Sequence, residues 1–177
     1  MNIYIDGACK GNPGPAGAAA YIENDRVIYS YVGEATNNIA EFQALNLALS
    51  FIQQYNIEEN CEIFTDSQLV IGLFTLGWKA KGNRELVNKI QNLLNIVQEN
   101  SNITITKVKG HSGNIGNDKA DLFANLAITE QKSGVIYFNE KVVTIDDIIK
   151  KAEEVEVERC WLRFRELVNL IKEFKGK

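Results

Sequence analysis

No apolar run in this chain approaches the roughly 18–20 residues that a membrane-crossing helix needs, so no membrane partner is expected. The opening stretch, MNIYIDGACKGNPGPAG, lacks the charged start and long apolar core of a secretory signal, and a cytoplasmic protein is expected. Cysteine is scarce: Cys9, Cys61 and Cys160 are odd in number and show no CxxC spacing. That argues against a disulfide framework and against a zinc site. Positive charge is not in excess either, because 19 Lys and Arg face 23 Asp and Glu, for a formal net charge of −4. Neither part of the chain makes up the difference: residues 1–128 hold 9 basic and 13 acidic residues, and 129–177 hold 10 of each. This balance weighs against a nucleic-acid partner, which usually meets a basic face. The objection weakens if several acids are metal ligands, neutralised in the working state.

What is present is ordinary for a globular protein, with 45% hydrophobic and 24% charged residues over 177 positions, enough for one well-buried domain and a small appendage. Asn2–Asp6 alternates and is rich in Ile and Tyr, which predicts a strand. The stretch GACKGNPGPAG then predicts irregular turns. Ala18–Glu23 and Arg26–Val32 read as a hairpin about Asn24-Asp25. A polar start at Thr36–Asn38 leads into a helix to about Tyr55. A short strand at Cys61–Thr65, helices at Ser67–Leu76 and Arg84–Glu99, a β-branched strand at Ile103–Val108 and a helix at Asn117–Ile128 complete the order βββαβααβα. That order predicts an α/β fold: a five-stranded mixed sheet flanked by helices. Residues 129–177 do not continue it. There Val135–Phe138 and Lys141–Ile145 suit a small hairpin about Asn139-Glu140, and helical patterning runs from Thr144 to about Phe174.

The most informative residues are acids in awkward places. Asp6 ends the first strand and Asp66 follows Ile63-Phe64-Thr65; strand ends in open α/β sheets are where ligands tend to bind. Glu41 lies on an apolar stripe with Leu45, Ala48 and Ile52, which turns its carboxylate towards the sheet. Asp121 shares a stripe with Ala124 and Ile128. Singly, each acid has a plainer explanation as a turn former, a helix cap or a solvated charge. Convergence lifts the set, because the most natural topology makes the first and fourth strands parallel neighbours under both helices. Two unit charges about 4 Å apart repel by roughly 4 kcal/mol at an effective dielectric near 20, so four together need cations or protons. An all-oxygen set selects Mg²⁺ or Mn²⁺ over zinc, and two such ions suit an in-line phosphoryl displacement. A carboxylate pair sharing one proton, as in aspartic proteases, fits four acids less well. His111, the single histidine, stands in Lys109-Gly110-His111-Ser112-Gly113 directly before the last helix. A mobile imidazole there suits a proton shuttle, though a lone histidine is more often structural.

Four segments together resemble the type 1 ribonuclease H family over residues 1–128. They are Asp6-Gly7-Ala8-Cys9-Lys10-Gly11-Asn12-Pro13-Gly14, Thr36-Asn37-Asn38-Ile39-Ala40-Glu41, Thr65-Asp66-Ser67-Gln68, and Lys109-Gly110-His111 through Asn117-Asp118-Lys119-Ala120-Asp121. The resemblance implies a ribonuclease H-like fold and endonucleolytic cutting of the RNA strand in RNA–DNA hybrids, leaving 5′-phosphate and 3′-hydroxyl ends. It implies catalytic and metal-ligating roles for Asp6, Glu41, Asp66 and Asp121, with two Mg²⁺ or Mn²⁺ ions, and an assisting role for His111. Asn12, Asn38 and Gln68 match contacts to the hybrid in its minor groove, Thr36 matches a contact to a DNA phosphate, and Asn37 stands among them as a further candidate substrate contact. Amide and hydroxyl groups suit that task, since they read 2′-hydroxyls without needing sequence. Turn and cap chemistry explains the same Asn residues equally well.

Two departures from the family pattern stand out. A long basic protrusion is replaced by the short stretch Gly77-Trp78-Lys79-Ala80-Lys81-Gly82-Asn83-Arg84, where Trp78 is the candidate to stack on the DNA strand. The extension 129–177 is not covered by the resemblance. Its segment Arg159–Arg165 mixes basic and aromatic residues in a way that suits nucleic acid. The stripe Trp161, Phe164, Leu167, Val168, Ile171 and Phe174 suits packing or homodimer formation, which is the preferred reading. Two other functions stay open: a different nuclease on this fold, and a hybrid-binding protein without catalysis.

Overall fold

A computed structural model describes residues 1–110 and 113–138. Met1–Tyr137 form one compact unit, and 138–177 belong to another. His111, the second strand expected at Lys141–Ile145, the helix expected from Thr144, and the Trp161–Phe174 stripe all lie outside the described residues.

The elements are β1 (Asn2–Cys9), β2 (Gly14–Ile22), β3 (Arg26–Ala35), α1 (Asn37–Gln54), β4 (Cys61–Thr65), α2 (Gln68–Phe74), α3 (Arg84–Gln98), β5 (Ile103–Lys107), α4 (Ile115–Glu130) and β6 (Gly134–Tyr137). They form a six-stranded mixed sheet in the order β5-β4-β1-β2-β3-β6. β1 pairs antiparallel with β2 and parallel with β4, and β4 pairs parallel with β5. The α/β fold with a mixed sheet and flanking helices is as expected, with one strand more than the five predicted. The extra strand is β6, which lies where Val135–Phe138 was expected to be a strand and pairs with β3.

The long turn predicted over GACKGNPGPAG is also shorter than expected. β1 continues through Gly7, Ala8 and Cys9, and β2 already begins at Gly14. Small residues are tolerated in a strand wherever neighbouring backbone comes close, and that is the situation here. A Cβ on Gly17 would lie 2.2 Å from the Ala124 carbonyl oxygen, so α4 rests directly on β2.

α1 starts where Thr36 Oγ1 accepts from the Ile39 N–H at 3.4 Å. Its stripe Leu45, Ala48 and Ile52 is buried against the sheet with Ile3, Ile5, Ile22 and Ile63. In α3 the buried positions are Val87, Ile90, Leu94 and Val97, spaced three and four apart. No helix among the described residues is long and apolar enough to cross a membrane.

Candidate active site

The four acids are positioned from three directions. In the parallel pairing of β1 with β4, Tyr4 lies opposite Phe64. Asp6 and Asp66 are each two residues further along. Asp66 lies just past the end of β4, whereas Asp6, expected at the end of the first strand, lies within β1, which runs on to Cys9 because it stays paired with β2. Glu41 arrives from α1 because β1 has no side chain at position 7. A Cβ on Gly7 would lie 2.3 Å from the Glu41 nitrogen and 2.4 Å from the Ala40 carbonyl carbon. Only a glycine lets the first turns of α1 come down to the sheet there. Asp121 lies one turn before Ala124 in α4, the helix seated on Gly17.

Three of the carboxylates meet. Asp6, Glu41 and Asp66 each offer an oxygen, and these atoms all lie within 4.8 Å of one another. Asp121 is outside this trio but close enough for its charge to act on Asp6, and its Oδ1 accepts from Asn125 Nδ2 at 2.7 Å. Asp6 and Glu41 are each only 8% exposed. Burial, with Glu41, Asp66 and Asp121 nearby, pushes the Asp6 carboxyl up to about 9. Burial and then Asp66 push Glu41 up to about 8, against the Gly7 N–H and the Asn37 side chain, which pull it down. The Gly7 N–H also donates to Asp6 Oδ1 at 2.8 Å. Glu41 Oε2 is buried without a hydrogen-bond partner among the described residues. An unpartnered buried carboxylate oxygen is costly. A set of oxygen donors crowded to this degree fits a hard divalent cation, which would neutralise the charge and take up the orphan.

The expected substrate contacts surround this trio, and several shape the site first. Asn12 Oδ1 accepts from the Asn37 N–H at 3.2 Å, and Thr36 caps α1. Asn38 and Gln68 are exposed. Trp78 is 48% exposed; its ring lies on the backbone of Gly72, where a Cβ would come 2.1 Å from the ring. Beside it is a groove of about 350 Å³ lined by Asn38, Phe42, Leu69, Leu73 and residues 78–83. Gly110, the residue before His111, lies against Asp66: a Cβ there would come 2.3 Å from Asp66 Oδ2, too close to fit without a shift.

Sequence reasoning missed three features. Asn37 partners Glu41 as well as opening α1. Asn117 is 2% exposed, with Oδ1 unpartnered among the described residues. A polar residue on the Ala120–Asp121–Ala124 stripe was the available signal for it. The third is Lys107, whose ammonium donates to Gln68 Oε1; no sequence spacing links β5 to α2.

A mixed α/β sheet whose adjacent parallel strands β1 and β4 bring two carboxylates together with a third from α1 defines a nuclease-like class of fold, with a cluster that could hold a cation. Residues 1–129 match the family model described as RNase H, and the chain belongs to that family. A Ribonuclease H of Ruthia magnifica subsp. Calyptogena magnifica is 38% identical over 138 residues, covering 71% of this chain and 93% of the relative. One of Francisella tularensis subsp. novicida (strain U112) is 39% identical over 139 residues, covering 72% and 90%. Among solved structures, RNase H1 from the halophilic archaeon Halobacterium salinarum NRC-1 matches with a TM-score of 0.59 and 28% identity, over 73% of this chain and 97% of that one. LC11-RNase H1 in complex with RNA/DNA hybrid matches with a TM-score of 0.63 and 29% identity, over 73% and 97%.

Proposed function

We propose that this protein hydrolyses the RNA strand of RNA–DNA hybrids endonucleolytically, leaving 5′-phosphate and 3′-hydroxyl ends. The observation that carries the reading is the Asp6–Glu41–Asp66 trio, with oxygens within 4.8 Å of one another and Glu41 Oε2 unpartnered. Asp6, Glu41 and Asp66, with Asp121 beside them, would hold two Mg²⁺ or Mn²⁺ ions. Bound there, the ions supply Lewis acidity and positive charge for an in-line displacement at phosphorus. The chain's own part is to fix the carboxylates in place. Gly7 and Asn37 orient Asp6 and Glu41 through hydrogen bonds, and the sheet and α1 keep bulk water from their inner faces.

Asn12, Asn38 and Gln68 contact the hybrid in its minor groove, where hydroxyls of the RNA strand distinguish it from DNA, with Asn37 a further substrate contact beside them. Thr36 holds a DNA phosphate, and Trp78 offers its open face to the DNA strand. His111 passes a proton at the reacting phosphate and helps product leave. The relative solved with an RNA/DNA hybrid supports this substrate class.

The test is cleavage of matched RNA–DNA hybrid, double-stranded RNA and double-stranded DNA in Mg²⁺, Mn²⁺ or EDTA, with end chemistry read by phosphatase-dependent labelling. Cutting of hybrid RNA alone, abolished by EDTA and by Asp6→Asn or Asp66→Asn with hybrid binding retained, is the expected result. Full activity in either variant, or in EDTA, refutes the metal assignment. Binding of hybrid without cutting under any metal makes the protein a hybrid-binding module instead.

A further inference from the structure

Lys107 is the last residue of β5, and it lies in register with Thr65, the residue before Asp66. It is exposed, it is in no ion pair among the described residues, and its Nζ donates to Gln68 Oε1. Gln68 is itself exposed, in the first turn of α2, two residues beyond Asp66. A glutamine amide presents an acceptor at one end and two donors at the other, and unrestrained it turns to offer either. An ammonium can only donate. Lys107 therefore engages the carbonyl end and leaves the Nε2 group as the one free to meet a ligand.

We propose that Lys107 is a positioning residue that holds Gln68 as an obligate hydrogen-bond donor to the hybrid. This rests on the hybrid-cleaving reading above and goes beyond it by fixing the polarity of one contact. The consequence is chemical. Every base pair offers minor-groove acceptors, the purine N3 and the pyrimidine O2. A donor fixed at Gln68 meets an acceptor whatever the sequence, whereas a freely rotating amide spends part of its time presenting an oxygen to an oxygen. The device suits an enzyme that must grip hybrids without reading them.

The experiment uses the full chain with Lys107→Met, Lys107→Arg, Gln68→Ala, Gln68→Glu and the Lys107→Met/Gln68→Ala double variant. KM and kcat on one hybrid are measured at low and at raised salt, and Tm confirms folding. Lys107→Met is expected to raise KM about fivefold to tenfold with kcat nearly unchanged, roughly one charge-assisted hydrogen bond. That loss should persist at raised salt, where a plain phosphate contact fades. Lys107→Arg, which keeps the donor, should stay near the parent. Gln68→Glu, which can only accept, should fall to the level of Gln68→Ala even with Lys107 intact. The double variant should be no worse than Gln68→Ala. Multiplying effects in the double variant, or a Lys107→Met loss that vanishes with salt, would overturn the proposal. A parent chain that fails to cut hybrids sinks the underlying reading instead, a result visible before any variant is compared.

Discussion

Asp6 and Glu41 carry carboxyls pushed up to about 9 and about 8, for the first by burial and three neighbouring acids, for the second by burial and Asp66. In the metal-free folded chain both hold protons at pH values where the unfolded chain, with ordinary carboxyls near 4, has released them. Folding therefore takes up protons. The stability this lends is complete below about pH 4 and is lost as pH rises through 8 and 9. In EDTA the Tm should fall steadily from pH 5 to pH 9, and Mg²⁺ should oppose the fall at the upper end by binding the ionised form. Asp6→Asn removes one of the buried acids, so at pH 8 in EDTA it should raise the Tm by several degrees and flatten the slope while abolishing cleavage. Thermal melts across pH, with and without metal, decide the matter; a Tm in EDTA indifferent to pH would mean that the carboxylates are not crowded. At this scale the sequence pointed to acids that the fold does bring together, Asp6, Glu41 and Asp66, with Asp121 near enough to act on Asp6. Glu41 on the stripe of Leu45, Ala48 and Ile52 was legible from spacing alone. The partners of those acids were not, because Asn37 and the Gly7 N–H act through contacts that no periodicity encodes.

The helices and most strands could be read from patterning, and two elements show where patterning stops. β1 and β2 run through stretches rich in Gly, Ala and Pro that look like loop. Their strand character comes from what packs on them: α1 at Gly7 and α4 at Gly17 both need backbone-to-backbone approach. β6 is short, and it is secured by a contact remote in sequence. The Arg26 guanidinium sits 4.6 Å from the ring centroid of Tyr137 and 4.7 Å from that of Tyr55, and donates to the Tyr55 hydroxyl at 2.8 Å. The close approach at Gly7 makes a sharp prediction. Gly7→Ala puts a methyl group 2.3 Å from a backbone nitrogen that cannot swing aside, so α1 must lift. A loss of about 2–4 kcal/mol in chemical unfolding is expected, along with a large loss of cleavage as Glu41 leaves Asp6. Gly82 is the control, since a methyl group added there would meet nothing within 4 Å and its backbone is not left-handed. Gly82→Ala should leave stability within about 1 kcal/mol of the parent or slightly above it. Equal effects from the two substitutions would mean that α1 does not depend on the bare backbone at position 7.

The molecule as a whole carries a net charge of −4, which its sequence sets against a nucleic-acid partner and its fold largely reconciles. Buried acids gather in one cluster that suits cations, while Lys79 and Lys81 stand in the groove beside Trp78, and Lys107 stands next to the cluster. Among the described residues, cations beside the cluster and the groove are few, so on the hybrid-cleaving reading affinity is expected to draw on stacking and amide contacts more than on released counterions. Roughly three or four phosphate contacts would give a slope of log affinity against log salt no steeper than about −4. Trp78 and the lysines should then separate cleanly. Trp78→Ala, which removes a ring resting on Gly72 with its other face open, should weaken binding by about 1–3 kcal/mol at every salt concentration and leave the slope unchanged. Lys79→Ala and Lys81→Ala should each cost less at raised salt and make the slope shallower by up to about one unit. Binding isotherms from low to moderate salt, taken with the catalytically silent Asp6→Asn chain so that the hybrid survives, measure both quantities. A Trp78→Ala variant that alters the slope, or a parent slope far steeper than the available lysines can supply, would place the grip on the hybrid elsewhere in the chain.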